Sequence, residues 1–109
     1  MKHSIATLDV AGFDTAIEEG DPILVLFTAP WCTNCRRVGP EASSLAADNP
    51  WSLQVAQVVV DDSPDLAERF EIRSIPAALL FKDGRLVQRY QPQQAGELRA
   101  AVASELEVA

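Results

Sequence analysis

Hydrophobic residues cluster along this chain in short, continuous runs separated by patterned, more polar stretches. Ile23–Phe27 (ILVLF) and Ala77–Phe81 (AALLF) are unbroken, and Val55–Val60 (VAQVVV) is interrupted only by Gln57. Runs of this length, rich in β-branched and aromatic side chains, predict strands buried on both faces of a sheet. Between them the apolar spacing becomes helical. Val38, Ala42, Leu45 and Ala46 form one stripe, running through Pro40 (where a kink, not an end, is expected) to Asp48-Asn49-Pro50. Ser63-Pro64-Asp65 reads as an N-cap with proline in the first helical position, followed by Leu66, Ala67 and Phe70. Leu98, Ala101, Val102 and Leu106 make a further stripe, and Val10, Phe13 and Ile17 a weaker one. Lys82-Asp83-Gly84-Arg85 carries the Asp-Gly signal of a two-residue hairpin, and the following LVQRY reads as an edge strand. The order of elements predicts an α/β layered domain with at least one βαβ crossover.

A chain of 109 residues, 48% of them hydrophobic, is one domain's worth of sequence, and a single domain over residues 1–109 is expected. It is too apolar for a disordered segment, and two cysteines are too few for a disulfide-stapled scaffold. No apolar run reaches membrane-spanning length, and the opening MKHSIATLDV has no signal-peptide h-region, so a reducing cytoplasm is the expected location. Sixteen Asp and Glu against nine Lys and Arg leave a net charge of −7. Such a surface repels nucleic acid and anionic membranes, which require clustered cations, and neither is expected as a partner.

The chemistry sits in Ala29-Pro30-Trp31-Cys32-Thr33-Asn34-Cys35, directly after a buried strand and directly before a helix. A thiol at a helix N-terminus meets unpaired backbone N–H groups and the positive end of the helix dipole, which favour the thiolate. The thiolate is the nucleophile of disulfide exchange. Cys32 is therefore expected to be the exposed attacking thiol, and Cys35 the more buried thiol that resolves the mixed disulfide. Arg36 and Arg37 add a screened positive charge. A structural disulfide, a metal site and inert core thiols are the competing readings. Closing so short a loop stabilises by only about 2 kcal/mol. Two cysteines and His3 fall short of four zinc ligands, so only a dimer would complete a Cys₄ site.

Taken together, ILVLF, the APWC..C stretch, Pro40, Asp61, Ile72-Arg73-Ser74-Ile75-Pro76 and LLFKDG resemble the thioredoxin family over essentially the whole chain. The resemblance implies a central mixed sheet of about five strands flanked by about four helices. It implies a monomeric protein-disulfide oxidoreductase that binds no cofactor and whose redox centre is the Cys32–Cys35 pair. Client disulfide proteins and an NADPH-dependent thioredoxin reductase, or its equivalent, would be the partners. It further implies a cis bond at Ile75-Pro76, an Ile75 backbone that pairs with substrate, and a Trp31 ring flanking the reactive sulfur. A thioredoxin-fold binding module with incidental thiols is the alternative in a different class.

The departures from the family pattern are specific. Thr33-Asn34 stands where Gly-Pro is usual, a dipeptide that tunes redox potential and contacts substrate. Leu26 replaces a buried aspartate that assists the resolving cysteine, and Gln57 replaces the lysine that pairs with that aspartate. Thr28 replaces an aromatic residue, and Gln91-Pro92 replaces a loop glycine at the docking face. Among the remaining residues, His3 reads as solvated, Glu18-Glu19 and Asp61-Asp62 as solvated charges or cap-adjacent acids, and Trp51 as packing where a helix meets the next strand.

Overall fold

A computed structural model describes residues 5–92, 94 and 96–106; His3 and the first four residues of the opening read for a leader lie outside them. The elements in chain order are β1 (Ala6–Thr7), α1 (Val10–Glu18), β2 (Ile23–Thr28), α2 (Thr33–Ala47), β3 (Gln54–Val59), α3 (Pro64–Arg69), β4 (Ala77–Lys82), β5 (Arg85–Tyr90) and α4 (Glu97–Leu106). The strands form one sheet in the order β1-β3-β2-β4-β5. β3 runs parallel to β1 and β2, while β4 is antiparallel to both β2 and β5. The parallel pair β2 and β3 is joined by α2, the expected crossover.

Central position explains the apolar runs. Every residue of Ile23–Phe27 and Ala77–Phe81 is buried, because β2 and β4 are covered on both faces. Alternate side chains feed two cores. Leu24, Leu26, Ala78 and Leu80 pack with Val38, Ala42 and Leu45 of α2 and with Leu98 and Val102 of α4. Val25, Phe27, Val58 and Leu79 pack on the other face with Phe13 of α1 and Leu66 of α3. Trp51, between α2 and β3, packs against the first core as expected.

The local signals hold with a few differences. Pro40 stands inside α2 without ending it, leaving the carbonyl of the exposed Arg36 without its helical donor. Ala46, the last residue of the predicted stripe, is exposed. Ser63 occupies the N-cap of α3 and Pro64 its first turn, but the Ser63 side chain makes no capping hydrogen bond. Asp83 and Gly84 have φ of 56° and 77°, so the hairpin uses the left-handed conformation that an Asp-Gly pair accepts. β5 lies at the sheet edge with Arg85–Arg89 exposed. β1, two exposed residues long, has no hydrophobic pattern, and only the resemblance's count of about five strands anticipates it.

Candidate active site

Two parallel strands deliver the site. β2 leads through Ala29-Pro30-Trp31 into α2, and β3 leads into Val60 and Asp61. Both end at the same sheet edge, outside the carboxyl ends of parallel strands, where open α/β sheets place their reactive groups. Cys32 is the N-cap of α2 and Cys35 lies in its first turn. Their sulfurs are bonded to each other, with Cα atoms 5.3 Å apart, within the ordinary span of a disulfide. The backbone N–H of Cys35 donates to Cys32 Sγ at 3.2 Å. A free N–H at the start of a helix is thus aimed at this sulfur, which places partial positive charge where a thiolate would form.

The burial of Cys32 corrects the sequence-based expectation. Cys32 and Cys35 are each 6% exposed, so in the bonded state neither is the open thiol. In the bridged pair, Cys32 and Cys35 cluster with Ala29, and Val60 and Ile75 pack against them. The distinction between attacking and resolving sulfur is therefore not one of exposure in this state.

The other site residues singled out from the sequence lie in the loop before α2, in its first turn, and in the segment before β4. The Ile75-Pro76 bond is cis; Pro76 is buried, and Ile75 packs on the two cysteines. Thr33 is exposed at the first position of α2 and Asn34 is half-buried beside it. Trp31 is 65% exposed, and its indole N–H donates to both carboxylate oxygens of Asp61, at 3.2 and 3.0 Å. Asp61 is therefore a partner of Trp31, not merely a solvated charge; its place in the family pattern is legible, its contact is not. Asp62, Glu18 and Glu19 are exposed as expected, and so are Arg36 and Arg37. Val60 is a site residue that sequence reasoning overlooked. Its position just beyond the end of a parallel strand was the available signal.

Trp31, Val60, Ala67, Ile72, Arg73, Ser74 and Ile75 line a groove of about 360 Å³ beside the disulfide. The arrangement combines a dithiol pair at a helix N-terminus with an open, mostly apolar groove that can receive a peptide. Among the described residues, no three His, Cys, Asp or Glu side chains gather in a metal-holding group, and no helix is long and apolar enough to cross a membrane.

Comparison with known proteins agrees with this geometry. Residues 4–104 match the Thioredoxin family. Thioredoxin of Alicyclobacillus acidocaldarius is 38% identical over 104 residues, which cover 93% of this chain and 97% of the relative. Thioredoxin 1 of Synechococcus elongatus is 37% identical over 87 residues, 80% and 81% of the two chains. Among solved structures, a mutant thioredoxin from Halobacterium salinarum superposes with a TM-score of 0.86 at 25% identity, covering 99% of this chain and 96% of its own. Oxidised mitochondrial thioredoxin 3 of Saccharomyces cerevisiae does so with 0.83 at 27% identity, covering 92% and 94%.

Proposed function

This chain belongs to the thioredoxin family of thiol–disulfide oxidoreductases, and we propose that it works as a cytoplasmic protein-disulfide reductant in which Cys32 attacks and Cys35 resolves. The observation that carries this reading is the bonded Cys32–Cys35 pair at the start of α2, with the Cys35 N–H directed at Cys32 Sγ. In the reduced protein the same N–H and the helix dipole favour a thiolate on Cys32. That thiolate attacks one sulfur of a client disulfide. The Cys32–client S–S bond forms, the client bond breaks, and the client's other sulfur leaves as a thiolate. Cys35, as thiolate, then attacks Cys32 Sγ, closing the intramolecular bridge and releasing the second client thiolate. Two electrons pass from the pair to the client, and the client's two thiolates take up protons.

The remaining assignments follow the family. Trp31, Thr33, Asn34, Ile75 and Pro76 form the client platform, with the Ile75 backbone pairing with an extended client segment. The oxidised pair is re-reduced by an NADPH-dependent thioredoxin reductase or an equivalent, so NADPH acts only through that partner. The chain acts as a monomeric single domain, binds no cofactor and makes no use of nucleic acid or membrane.

An equilibrium redox titration with thiol trapping tests the reading. A reversible two-electron midpoint near −270 mV, about the potential of thioredoxin, marks a reductant, whereas about −180 to −120 mV marks an isomerase or oxidant. A Cys35→Ser variant is expected to trap client on Cys32. A pair that never opens or closes at any accessible potential, or a variant that traps client only through position 35 of a Cys32→Ser counterpart, defeats the proposal.

A further inference from the structure

Next to the apolar groove lies a second concavity of about 440 Å³ that the dithiol chemistry does not use. The two share Ile72, Arg73 and Ser74, so they adjoin along this segment. The character changes at that junction. Ala77 and Leu79 of β4 contribute to the lining, together with Arg73, Ser74, Arg89 and Gln91. Arg89 is held in place, since its Nη2 donates to the carbonyl of Phe70 at 2.7 Å. A guanidinium has five N–H donors in a rigid fork, so one bond to a carbonyl leaves most of that fork to offer. Gln91 Nε2 donates to Ser74 Oγ at 2.7 Å, bridging the two segments that form the rim. The one acid in the lining, Glu71, faces Arg73 at 3.6 Å, and both side chains are more than three-quarters exposed, an arrangement that holds neither partner firmly. The concavity therefore carries two positive groups against one negative, on a chain whose net charge is −7.

The geometry points to a carboxylate-binding subsite: Arg73 and Arg89 select clients that carry an Asp or Glu a few residues from the cysteine being reduced. This rests on the proposed reading, in which an extended client segment pairs beside Ile75. Such a segment advances about 3.3 Å per residue, so two or three residues carry it past Ser74 and Arg73 into the second concavity. A planar guanidinium matches a carboxylate with paired hydrogen bonds, and the anchored Arg89 loses little freedom in making them. The remainder of the molecule repels an acidic client at long range, so a preference for one can only come from local contact.

The test is a series of disulfide peptides, each with a single Glu at successive positions on either side of the reactive cysteine, and each paired with a twin carrying Gln there. At the favoured position the Glu peptide is expected to be reduced with a kcat/KM about fivefold above its twin, the size of a well-placed charge contact. Arg89→Gln and Arg73→Gln are each expected to bring that ratio towards one. Arg73 makes only its loose contact with Glu71, so its variant keeps the test sound even if loss of the Phe70 contact disturbs the Arg89 variant. Equal reduction of every pair by the unmodified protein, or a ratio that survives in both variants, overturns the subsite and leaves the reductant reading standing. Failure to reduce either member of any pair overturns the reductant reading and the subsite with it.

Discussion

Leu26 and Gln57 are register partners across β2 and β3, and neither brings a charge into the core. Leu26 is fully buried in the core beneath α2, while Gln57 turns its amide away, donating to Thr7 Oγ1 at 2.9 Å. Ser63 is the only buried polar residue among those described, so no described carboxylate is buried.

On the proposed reading, Cys35 therefore gives its proton to water or to the client thiolate released in the first exchange. In the unmodified protein the decay of a Cys32–client mixed disulfide should follow a single titration, that of the Cys35 thiol. Leu26→Asp would introduce an acceptor without a paired lysine. An unpaired buried charge costs about 3–5 kcal/mol, so the variant should be markedly less stable and its carboxyl should titrate above the usual range. Stopped-flow decay of the mixed disulfide across pH should then show a faster resolving step with a second titration. If neither rate nor pH profile changes, the buried acceptor is irrelevant to this protein.

Asp61 positions Trp31. The ring is 65% exposed, so packing alone does not fix it, and the indole N–H is held by both oxygens of one carboxylate. Asp61→Ala should change stability by less than about 1 kcal/mol, as befits an exposed contact. It should nevertheless raise KM for a protein disulfide several-fold with a smaller effect on kcat. Asp61→Asn keeps one oxygen acceptor and should recover most of the loss. Unchanged steady-state constants in Asp61→Ala would assign the hydrogen bond a purely structural role.

What was legible in the sequence follows from how local each signal is. β2 and β4 are central, so burial on both faces leaves an unbroken apolar run that nothing else in the chain imitates. The hairpin was legible because two consecutive residues must adopt positive φ, and Asp83-Gly84 is a pair that accepts it. The cysteine pair was legible because both sulfurs lie within one helical turn. β1 was not, because two exposed residues carry no pattern. The burial of Cys32 was not legible, because Val60 and Ile75, which pack against the pair, come from distant parts of the chain. Arg73 and Arg89 lie in a loop and an edge strand, and only the pairing of β4 with β5 brings them to one concavity.

Glu41 and Arg99 tie α2 to α4 in both directions. Glu41 on α2 accepts from the backbone N–H groups of Leu98 and Arg99, each at 3.2 Å, in the first turn of α4. Arg99 on α4 donates back to the carbonyl of Asp48, the C-cap of α2, at 3.0 Å. Glu41→Ala removes an acceptor from two helix-end donors and a negative charge from the positive end of a dipole, a loss of about 1–2 kcal/mol. In a domain of this size that lowers Tm by about 4–8 °C per kcal/mol. Glu41→Gln retains an oxygen acceptor and should lie between the two. A melting temperature unmoved by Glu41→Ala would mean that solvent replaces the carboxylate at no cost.

Tyr90 links the stability of this fold to alkaline pH. Its phenol O–H donates to the Ala101 carbonyl on α4 at 3.3 Å. Burial, and then the negative charge of Glu105, raise its pKa from 10.0 to about 12. The folded chain thus keeps this proton at pH values where the unfolded chain has released it. The stability it contributes is intact below pH 10 and is lost as pH rises through about 12. Tyr90 is the only tyrosine, and the bridged protein has no free thiol among the described residues, so tyrosinate absorbance reports this group alone. The absorbance midpoint of the folded, oxidised protein should therefore stand well above that of the unfolded chain. Denaturation midpoints across the same range should fall more steeply for the unmodified protein than for Tyr90→Phe, which has no phenol to ionise; groups common to both cancel in the comparison. Coincident absorbance midpoints in the folded and unfolded chain would show that the phenol is solvated and that the contact with Ala101 does not hold it.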